Sequence, residues 1–141
     1  MNIATHLKRL GATDEMIARA LCNGKPIAQA GANPKRNDPY KSKWERLYAA
    51  ELNDAMRAGE VLAWEYEAVT FRLARSRDGK RGASYTPDFL VVHKDERLEF
   101  VEVKGFMREA ARVRFVTARD RFPWFDWRMI RRTKSGWEEV M

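Results

Sequence analysis

The 141-residue sequence predicts an α/β fold in which a helix, three antiparallel strands, a second helix and a further strand follow one another along the chain. Three observations predict it: an amphipathic run with helix start and stop signals at residues 42–59, two short β-rich runs at 89–92 and 98–103, and a second helical pattern at 107–121. Residues 1–40 combine short helical patterns with a tail containing Pro and Gly. We therefore divide the chain into a basic, helical and irregular N-terminal arm, residues 1–40, and one domain, residues 41–141.

The first helix of the domain is predicted from its two ends and its apolar face. Ser42 is a capping residue, Glu45 follows it at the spacing of a capping box, and Gly59 is a stop signal. Residues at the 3.6-residue period form one apolar stripe: Trp44, Leu47, Tyr48, Leu52, Ala55 and Met56. Glu45 and Glu51 border this stripe, so either carboxylate is placed to reach a site on a sheet beneath the helix.

Strand patterns follow the first helix. Residues 61–75 are apolar and aromatic with partial alternation, which predicts one long strand or two shorter ones, and residues 76–84 are typical of a flexible basic loop. The runs at 89–92 and 98–103 are joined by the polar residues 93–97. This connection is too short for a crossover helix, so the two strands are expected to form an antiparallel hairpin.

The hairpin carries charged residues where a core strand is normally apolar. With a three-residue loop at 94–96, Asp88 lies directly opposite Glu102, with their Cβ atoms about 5 Å apart. Two facing carboxylates destabilise a sheet unless a positive charge lies between them, and a divalent cation with oxygen ligands meets that need. Lys104 lies beside Glu102 on the same face because side chains alternate along a strand. The alternative is a solvated Glu102–Lys104 pair on the open face of the sheet, which contributes little energy.

A second helix and a last strand are predicted after Gly105. The helix covers residues 107–121 and ends before Pro123, with these side chains inward: Met107, Ala110, Ala111, Phe115 and Ala118. Its cations available to solvent or phosphate are Arg108, Arg112 and Arg119. Residues 125–130 form the last strand, and the basic residues that lead away from it toward the terminus are Arg131, Arg132 and Lys134.

Charge is unevenly distributed along the chain. The formal net charge is +7, and it divides into +5 for residues 1–43, −3 for 44–103, +7 for 104–134 and −2 for 135–141. Two basic blocks therefore flank an acidic middle, as expected when a phosphate backbone is held on either side of a cation-binding centre. The alternative is that the basic excess only keeps the protein in solution.

Composition excludes several classes of protein. Cys22 is the only cysteine, which rules out an intramolecular disulfide and a cysteine-based zinc site. No apolar run has the length of a membrane span, and the first residues lack the apolar block of a signal peptide. We expect a protein of the cytoplasm of a bacterial or phage-infected cell, with no membrane partner.

The pattern Pro87-Asp88, thirteen intervening residues, then Glu102-Val103-Lys104, on two adjacent predicted strands between helices, resembles the motif of the PD-(D/E)XK nuclease superfamily. The resemblance covers residues 41–132. More narrowly, the stretches at residues 42–46, 58–61, 85–89 and 101–106 resemble small phage and prophage proteins of that superfamily, which are similar to Holliday junction resolvases and other phage endonucleases. Residues 1–40 have no counterpart in it.

The resemblance implies a restriction-endonuclease-like core and a set of site residues. Asp88 and Glu102 would bind Mg²⁺, for which Mn²⁺ would substitute, and the backbone carbonyl of Val103 is a further candidate ligand. Lys104 would be the catalytic lysine. Glu45 would be the carboxylate from the helix that completes the site, in preference to Glu51. The candidate DNA-binding cations are Arg108, Arg112, Arg119, Lys41, Lys43 and Arg81.

Three classes of function are consistent with these residues. The first is a Mg²⁺-dependent endonuclease that cleaves DNA, with branched or four-way intermediates of phage replication, recombination or packaging as its substrates. A protein of this kind is expected to be a homodimer. The second is the cleavage subunit of a transposase- or restriction-type complex, and the third is a non-catalytic nucleic-acid-binding protein that retains the fold. The intact set of Asp88, Glu102 and Lys104 argues against the third.

Overall fold

In the computed structural model, the residues described are 38–80, 82–106 and 108–141. They form a mixed α/β fold, as predicted. The expectations for residues 1–37 of the N-terminal arm, including Cys22, lie outside the described residues, as do those for Arg81 and Met107. Within the described ranges, no helix is both long enough and apolar enough to cross a membrane.

The described residues form two helices and seven strands, in the order of a helix, five strands, a second helix and two further strands. Helix α1 is Lys43–Arg57 and helix α2 is Glu109–Arg121. The strands are β1 (Val61–Tyr66), β2 (Phe71–Arg72), β3 (Ser84–Tyr85), β4 (Phe89–His93), β5 (Leu98–Lys104), β6 (Asp126–Thr133) and β7 (Gly136–Glu139). Strands β1-β4-β5-β6-β7 form the main sheet in that order, whereas β2 and β3 pair only with each other. The main sheet is antiparallel except for the parallel pair β5 and β6, which α2 connects.

Helix α1 has the predicted ends. The Ser42 side chain caps it by accepting a hydrogen bond from the Glu45 N–H at 3.1 Å. Its last turn is followed by Gly59 in the left-handed region, with φ of 76°, which a residue without Cβ adopts at no steric cost. The stripe is buried at Tyr48 and Leu52, but Met56 at its end is exposed, contrary to the prediction.

The β4–β5 hairpin has the predicted register. Phe89 lies opposite Val101 and Leu90 opposite Phe100, which continues to Asp88 opposite Glu102. The His93 N–H donates to the Arg97 carbonyl at 3.0 Å and so closes a three-residue loop. Glu96 ends that loop with φ of 69°, the left-handed residue typical of such hairpins.

The predicted strand region at residues 61–75 is two strands in different sheets. Strand β1 ends at Tyr66, and Glu67 turns the chain with φ of 48° while its N–H donates to the Asp88 carbonyl at 2.8 Å. Strand β2 then pairs with β3, with Phe71 opposite Tyr85. The expected loop at 76–84 is therefore the tip of a two-stranded ribbon, because Ser84 already belongs to β3.

The prediction for the C-terminal part was wrong in two respects. Strand β6 extends to Thr133, so Arg131 and Arg132 belong to the sheet and do not lead away from it. Strand β7 was not predicted. It pairs antiparallel with β6, where Trp137 packs against the apolar cluster below α1 and Arg131 lies 2.7 Å from Glu138.

The main sheet has an apolar cluster on each face. One face packs against α1 through Phe89, Val91, Val101, Val103 and Ile130. The other face packs against α2 and the ribbon through Leu90, Val92, Leu98, Phe100 and Met129. Helix α2 contributes its buried Phe115 and Ala118 to this second cluster, as predicted, but Ala110 is exposed. Hence β4 and β5 are buried on both faces, and polar groups on them lie in a desolvated setting.

Candidate functional site

Asp88 and Glu102 are two buried carboxylates at the end of the main sheet where β4 begins. They are only 8 % and 5 % exposed. Because β4 starts at Phe89, the Val103 N–H of β5 has no backbone partner on that side. The Asp88 side chain replaces it, with its Oδ2 accepting from the Val103 N–H at 2.8 Å. This hydrogen bond holds one carboxylate against the strand that carries the other.

Glu102 is held by two neighbours. Its Oε1 lies 2.5 Å from the Nζ of Lys104, which is two residues further along β5 and therefore on the same face of the strand. Its Oε2 accepts a hydrogen bond from the Tyr85 hydroxyl at 2.7 Å. Burial and the charge of Glu102 raise the pKa of Tyr85, so this phenol remains a donor at neutral pH. Lys104 is thus a largely buried ammonium fixed beside the carboxylate pair.

The carboxylate pair has altered electrostatics. Burial first, and then the charge of Glu102, raise the pKa of Asp88 from 3.8 to about 7, against the opposing effects of the Val103 hydrogen bond and Lys104. A proton therefore competes for Asp88 near neutral pH. A further cation at this place would favour the ionised carboxylate and release that proton.

Glu45 reaches the same end of the sheet from α1. It is buried, and its Oε2 accepts from the Lys41 N–H at 2.8 Å and from the Tyr66 hydroxyl at 2.6 Å. No hydrogen bond links it to Asp88 in the described residues, but its charge is among those that raise the pKa of Asp88. Glu51 instead lies toward β7, where it accepts from the Trp137 indole at 2.5 Å.

The donor set fits a magnesium ion through its two carboxylates. Mg²⁺ typically takes one or two carboxylates and keeps several waters. The Val103 carbonyl lies on the same side of β5 as its N–H, and hence on the side of Asp88. Over residues 38–80, 82–106 and 108–141, no group of three or more His, Cys, Asp or Glu side chains is arranged to hold a metal. Glu45 is a neighbour of the pair, and its Oε2 already accepts hydrogen bonds from Lys41 and Tyr66.

A family model described as a protein of unknown function, DUF1064, matches residues 35–135. The chain belongs to the DUF1064 family. No curated protein and no solved structure matches it. The DUF1064 match runs from before α1 to the turn after β6, so all four candidate catalytic residues lie inside it: Asp88, Glu102, Lys104 and Glu45.

The predicted DNA-binding cations of this DUF1064 chain are divided between two places. Lys41 lies by the site, where its Nζ pairs with Glu67, and the Lys43 Nζ stacks 4.4 Å from the centre of the Trp44 ring. Arg108 is exposed at the N-cap of α2. Arg81 lies outside the described residues.

Helix α2 carries its other arginines away from the carboxylates. Arg112 and Arg119 each lie 3.8 Å from an acidic neighbour, Glu109 and Asp120 respectively. The helix leads away from the end of β5, and the 1.5 Å rise per residue puts Arg119 about 16 Å beyond Arg108. The structure therefore brings Arg108, but not Arg119, to the end of the DUF1064 fold that holds Asp88.

Sequence reasoning missed the two tyrosines that hold the carboxylates of this DUF1064 chain. Tyr85 donates to Glu102 and Tyr66 donates to Glu45. Tyr85 lies just before Pro87-Asp88, within the stretch that resembles the nuclease motif, but no local pattern pairs it with a residue of another strand. Tyr66 is separated from Glu45 by a helix and a turn, so no signal in the sequence links them.

Proposed function

We propose that this chain is a Mg²⁺-dependent endonuclease that hydrolyses DNA phosphodiester bonds. The observation that carries the proposal is the buried pair Asp88 and Glu102 on adjacent strands, with the Lys104 ammonium 2.5 Å from Glu102. Burying two neighbouring carboxylates costs free energy even when a lysine lies beside them, so such a pair is not expected from the needs of the fold alone. A buried carboxyl with a strongly raised pKa, such as Asp88, is a frequent feature of functional sites.

Asp88, Glu102 and the Val103 carbonyl would hold the metal ion, and Mn²⁺ would substitute for Mg²⁺. When bound, the ion supplies an activated water and neutralises charge on the phosphoryl oxygens. The hydrogen bonds from Val103 and Tyr85 orient the two carboxylates before any ligand arrives. Glu45 adds negative charge beside them from α1 without displacing either one.

Lys104 has the role of positioning and charge stabilisation. Its ammonium is held by Glu102, and its side chain is 25 % exposed, so it faces both the carboxylates and the space where a phosphate would lie. A fixed ammonium in a partly desolvated site stabilises negative charge that develops on a phosphate oxygen more strongly than one in water. It would also orient the attacking water.

The arrangement of elements supports a restriction-endonuclease-like core. Strands β1, β4 and β5 form the antiparallel meander, and α2 then returns the chain to β6, which is parallel to β5. The main additions are β7 and the β2–β3 ribbon. We propose DNA as the partner, branched or four-way substrates as the preferred class, and a homodimer that presents two sites.

Cleavage assays test this proposal. Purified protein is incubated with linear, nicked, flapped and four-way DNA in Mg²⁺, Mn²⁺ or EDTA, and we expect strand cleavage only with metal. Asp88→Asn and Glu102→Gln should each abolish cleavage and weaken the binding of Mn²⁺ measured by titration calorimetry, because each removes one carboxylate of the pair. Glu60→Gln is the matched control, since this exposed carboxylate lies at the opposite end of the sheet.

Two results would overturn the function. One is cleavage of undiminished rate in EDTA or in the Asp88 and Glu102 variants. The other is the absence of cleavage of all four DNA forms by folded protein in either metal. Sedimentation velocity on the same samples measures the mass of the protein. If the protein is a monomer both with and without four-way DNA, the proposed homodimer is rejected.

A further inference from the structure

A basic groove runs along the β2–β3 ribbon and the loop at its tip, residues 74–80 and 82–83 in the described chain. Its volume is about 810 Å³, and its lining includes Thr70, Arg72, Arg75, Lys80, Ser84 and Thr86. The rest of the lining consists of Gly, Ala and Ser. None of the predicted DNA-binding residues that the structure describes belongs to this surface.

The charge of the groove is of one sign. Three cations line it, and no acidic side chain is among the lining residues. In the part of the chain that the structure describes, neither Arg72 nor Arg75 has an ion-pair partner. Lys80 lies 3.6 Å from Asp78, whose side chain is 55 % exposed and lies outside the lining. The groove thus offers two guanidinium groups and an ammonium to an anionic ligand.

Backbone contacts shape the groove. The N–H groups of Leu73 and Ala74 both donate to the Ala83 carbonyl, at 2.8 and 3.1 Å. Gly82 allows the close approach, because a Cβ on it would lie 2.0 Å from the Ala74 carbonyl oxygen. At the tip, Asp78 accepts from the Ser76 hydroxyl and from the Lys80 N–H. The ribbon is therefore a folded support for its cations.

One end of the groove is close along the chain to the carboxylate pair. Thr70 and Thr86 form this end, with their Oγ1 atoms 2.7 Å apart, and Thr86 is two residues from Asp88. The neighbouring residue on β3, Tyr85, is not a lining residue and is buried in the core, where it donates to Glu102 at 2.7 Å. Asp88 and Glu102 are not lining residues, so an extended ligand would have to continue beyond Thr86 to approach them.

We propose that the basic groove binds the sugar–phosphate backbone of a DNA strand and directs it to the carboxylate pair. Arginine and hydroxyl side chains are typical phosphate contacts, and they position a nucleic acid without reading its bases. The lining contains no aromatic side chain on which a base would stack. Its binding is therefore independent of sequence. The inference rests on the proposed function only for what happens at Asp88, since binding does not require cleavage.

DNA binding in EDTA tests the groove separately from catalysis. Arg72, Arg75 and Lys80 are replaced together by Gln, and fluorescence anisotropy with labelled duplex DNA is measured at several salt concentrations. We expect weaker binding and a salt slope of log K lower by about 2.7, because each duplex phosphate that a cation neutralises contributes about 0.9 to the slope. Circular dichroism verifies that the variant is folded.

The matched control removes the same charge elsewhere. Arg57, Lys94 and Arg97 are exposed cations at the opposite end of the main sheet, where the Lys94 N–H donates to the Glu60 carbonyl. Replacing these three by Gln should leave the salt slope as in the wild type. A loss of slope equal to that of the groove variant would show that only net charge matters, and the groove would be rejected.

The remaining outcomes distinguish the groove from the proposed function. Asp88→Asn should bind DNA with an unchanged salt slope. If the wild type binds DNA through the groove but never cleaves it, the groove stands and the nuclease fails. If the protein cleaves DNA but the groove variant keeps the wild-type salt slope, DNA binding by the groove is rejected and the nuclease proposal stands. A last test is competition, in which poly-glutamate or inorganic pyrophosphate is added at the same concentration of negative charge as the duplex DNA. If either displaces the DNA, the groove binds anions in general and the inference is overturned.

Discussion

At the scale of single residues, the candidate site depends on hydrogen bonds that replace missing backbone pairs. Asp88 takes the place of a β4 residue on the Val103 N–H, and Tyr85 satisfies an oxygen of Glu102. Buried carboxylates are tolerated only when such donors are present. The remaining imbalance appears in the raised pKa of Asp88, and it has consequences that can be measured.

The stability of the metal-free protein should depend on pH through Asp88. Its pKa is raised from 3.8 to about 7 by burial and by Glu102, so the folded state binds a proton that the unfolded state has released. The stability that the protonated form contributes is complete below pH 3.8 and is lost as the pH rises through about 7. Asp88→Asn removes this titration and can still accept from the Val103 N–H.

Urea unfolding in EDTA from pH 5 to pH 8 measures this effect. We expect Asp88→Asn to gain stability over the wild type as the pH rises, by at most about 1.4 kcal/mol per pH unit, and Glu60→Gln to gain none. Added Mg²⁺ should reduce the gain by stabilising only the wild type. A difference between variant and wild type that is constant over this range would refute the raised pKa.

The two glutamates of α1 should differ in their effect on activity. Glu45 is buried at the end of the sheet that holds Asp88, whereas Glu51 bonds to Trp137 and lies 3.6 Å from Arg132. Glu45→Gln should therefore reduce cleavage by at least about tenfold more than Glu51→Gln, equivalent to about 1.4 kcal/mol in the barrier. Both variants should keep the helix, because glutamine and glutamate have similar helix propensities and Ser42 still caps the first turn. Cleavage rate constants measured under single-turnover conditions test this prediction. A larger loss in Glu51→Gln than in Glu45→Gln would show that Glu51 is the functional carboxylate.

At the scale of elements, the chain places its cations on two different supports. The ribbon of β2 and β3 and its loop carry Arg72 and Arg75 along the groove, whereas α2 begins five residues after the end of β5 and leads away from it. Contacts with the rest of the fold hold both supports in place. The ribbon closes over Gly82, and α2 is anchored by the buried Phe115 and by Arg121, which donates to the Leu73 carbonyl.

The arginines of α2 should contribute unequally to DNA binding. Arg108 lies at the end of the helix close to Lys104, and Arg119 lies about 16 Å further along the axis. Arg108→Gln should lower the salt slope of log K by about 0.9, and Arg119→Gln should leave it unchanged. Anisotropy with duplex DNA in EDTA measures both slopes. Equal losses would indicate that bound DNA follows the whole length of α2.

At the scale of the whole molecule, the distribution of charge in the fold differs from its distribution along the sequence. The acidic middle of the chain contains the buried pair, but it also contains the cations of the basic groove. Conversely, part of the basic block at residues 104–134 is neutralised within the fold, since Arg131 pairs with Glu138 and Arg128 lies 3.0 Å from Glu99. The charge of a segment is therefore a poor guide to the surface that it presents.

The sequence by itself determined the helices, the β4–β5 hairpin and the pairing of Asp88 with Glu102. These follow from local signals, because capping, periodicity and a three-residue loop act between residues that are close along the chain. Only the tertiary structure decided that Tyr85 and Tyr66 hold the carboxylates, that β7 adds to β6, and that the ribbon forms a groove lined by cations. Such contacts join residues far apart in sequence, and their energy comes from burial and pairing that no single segment carries.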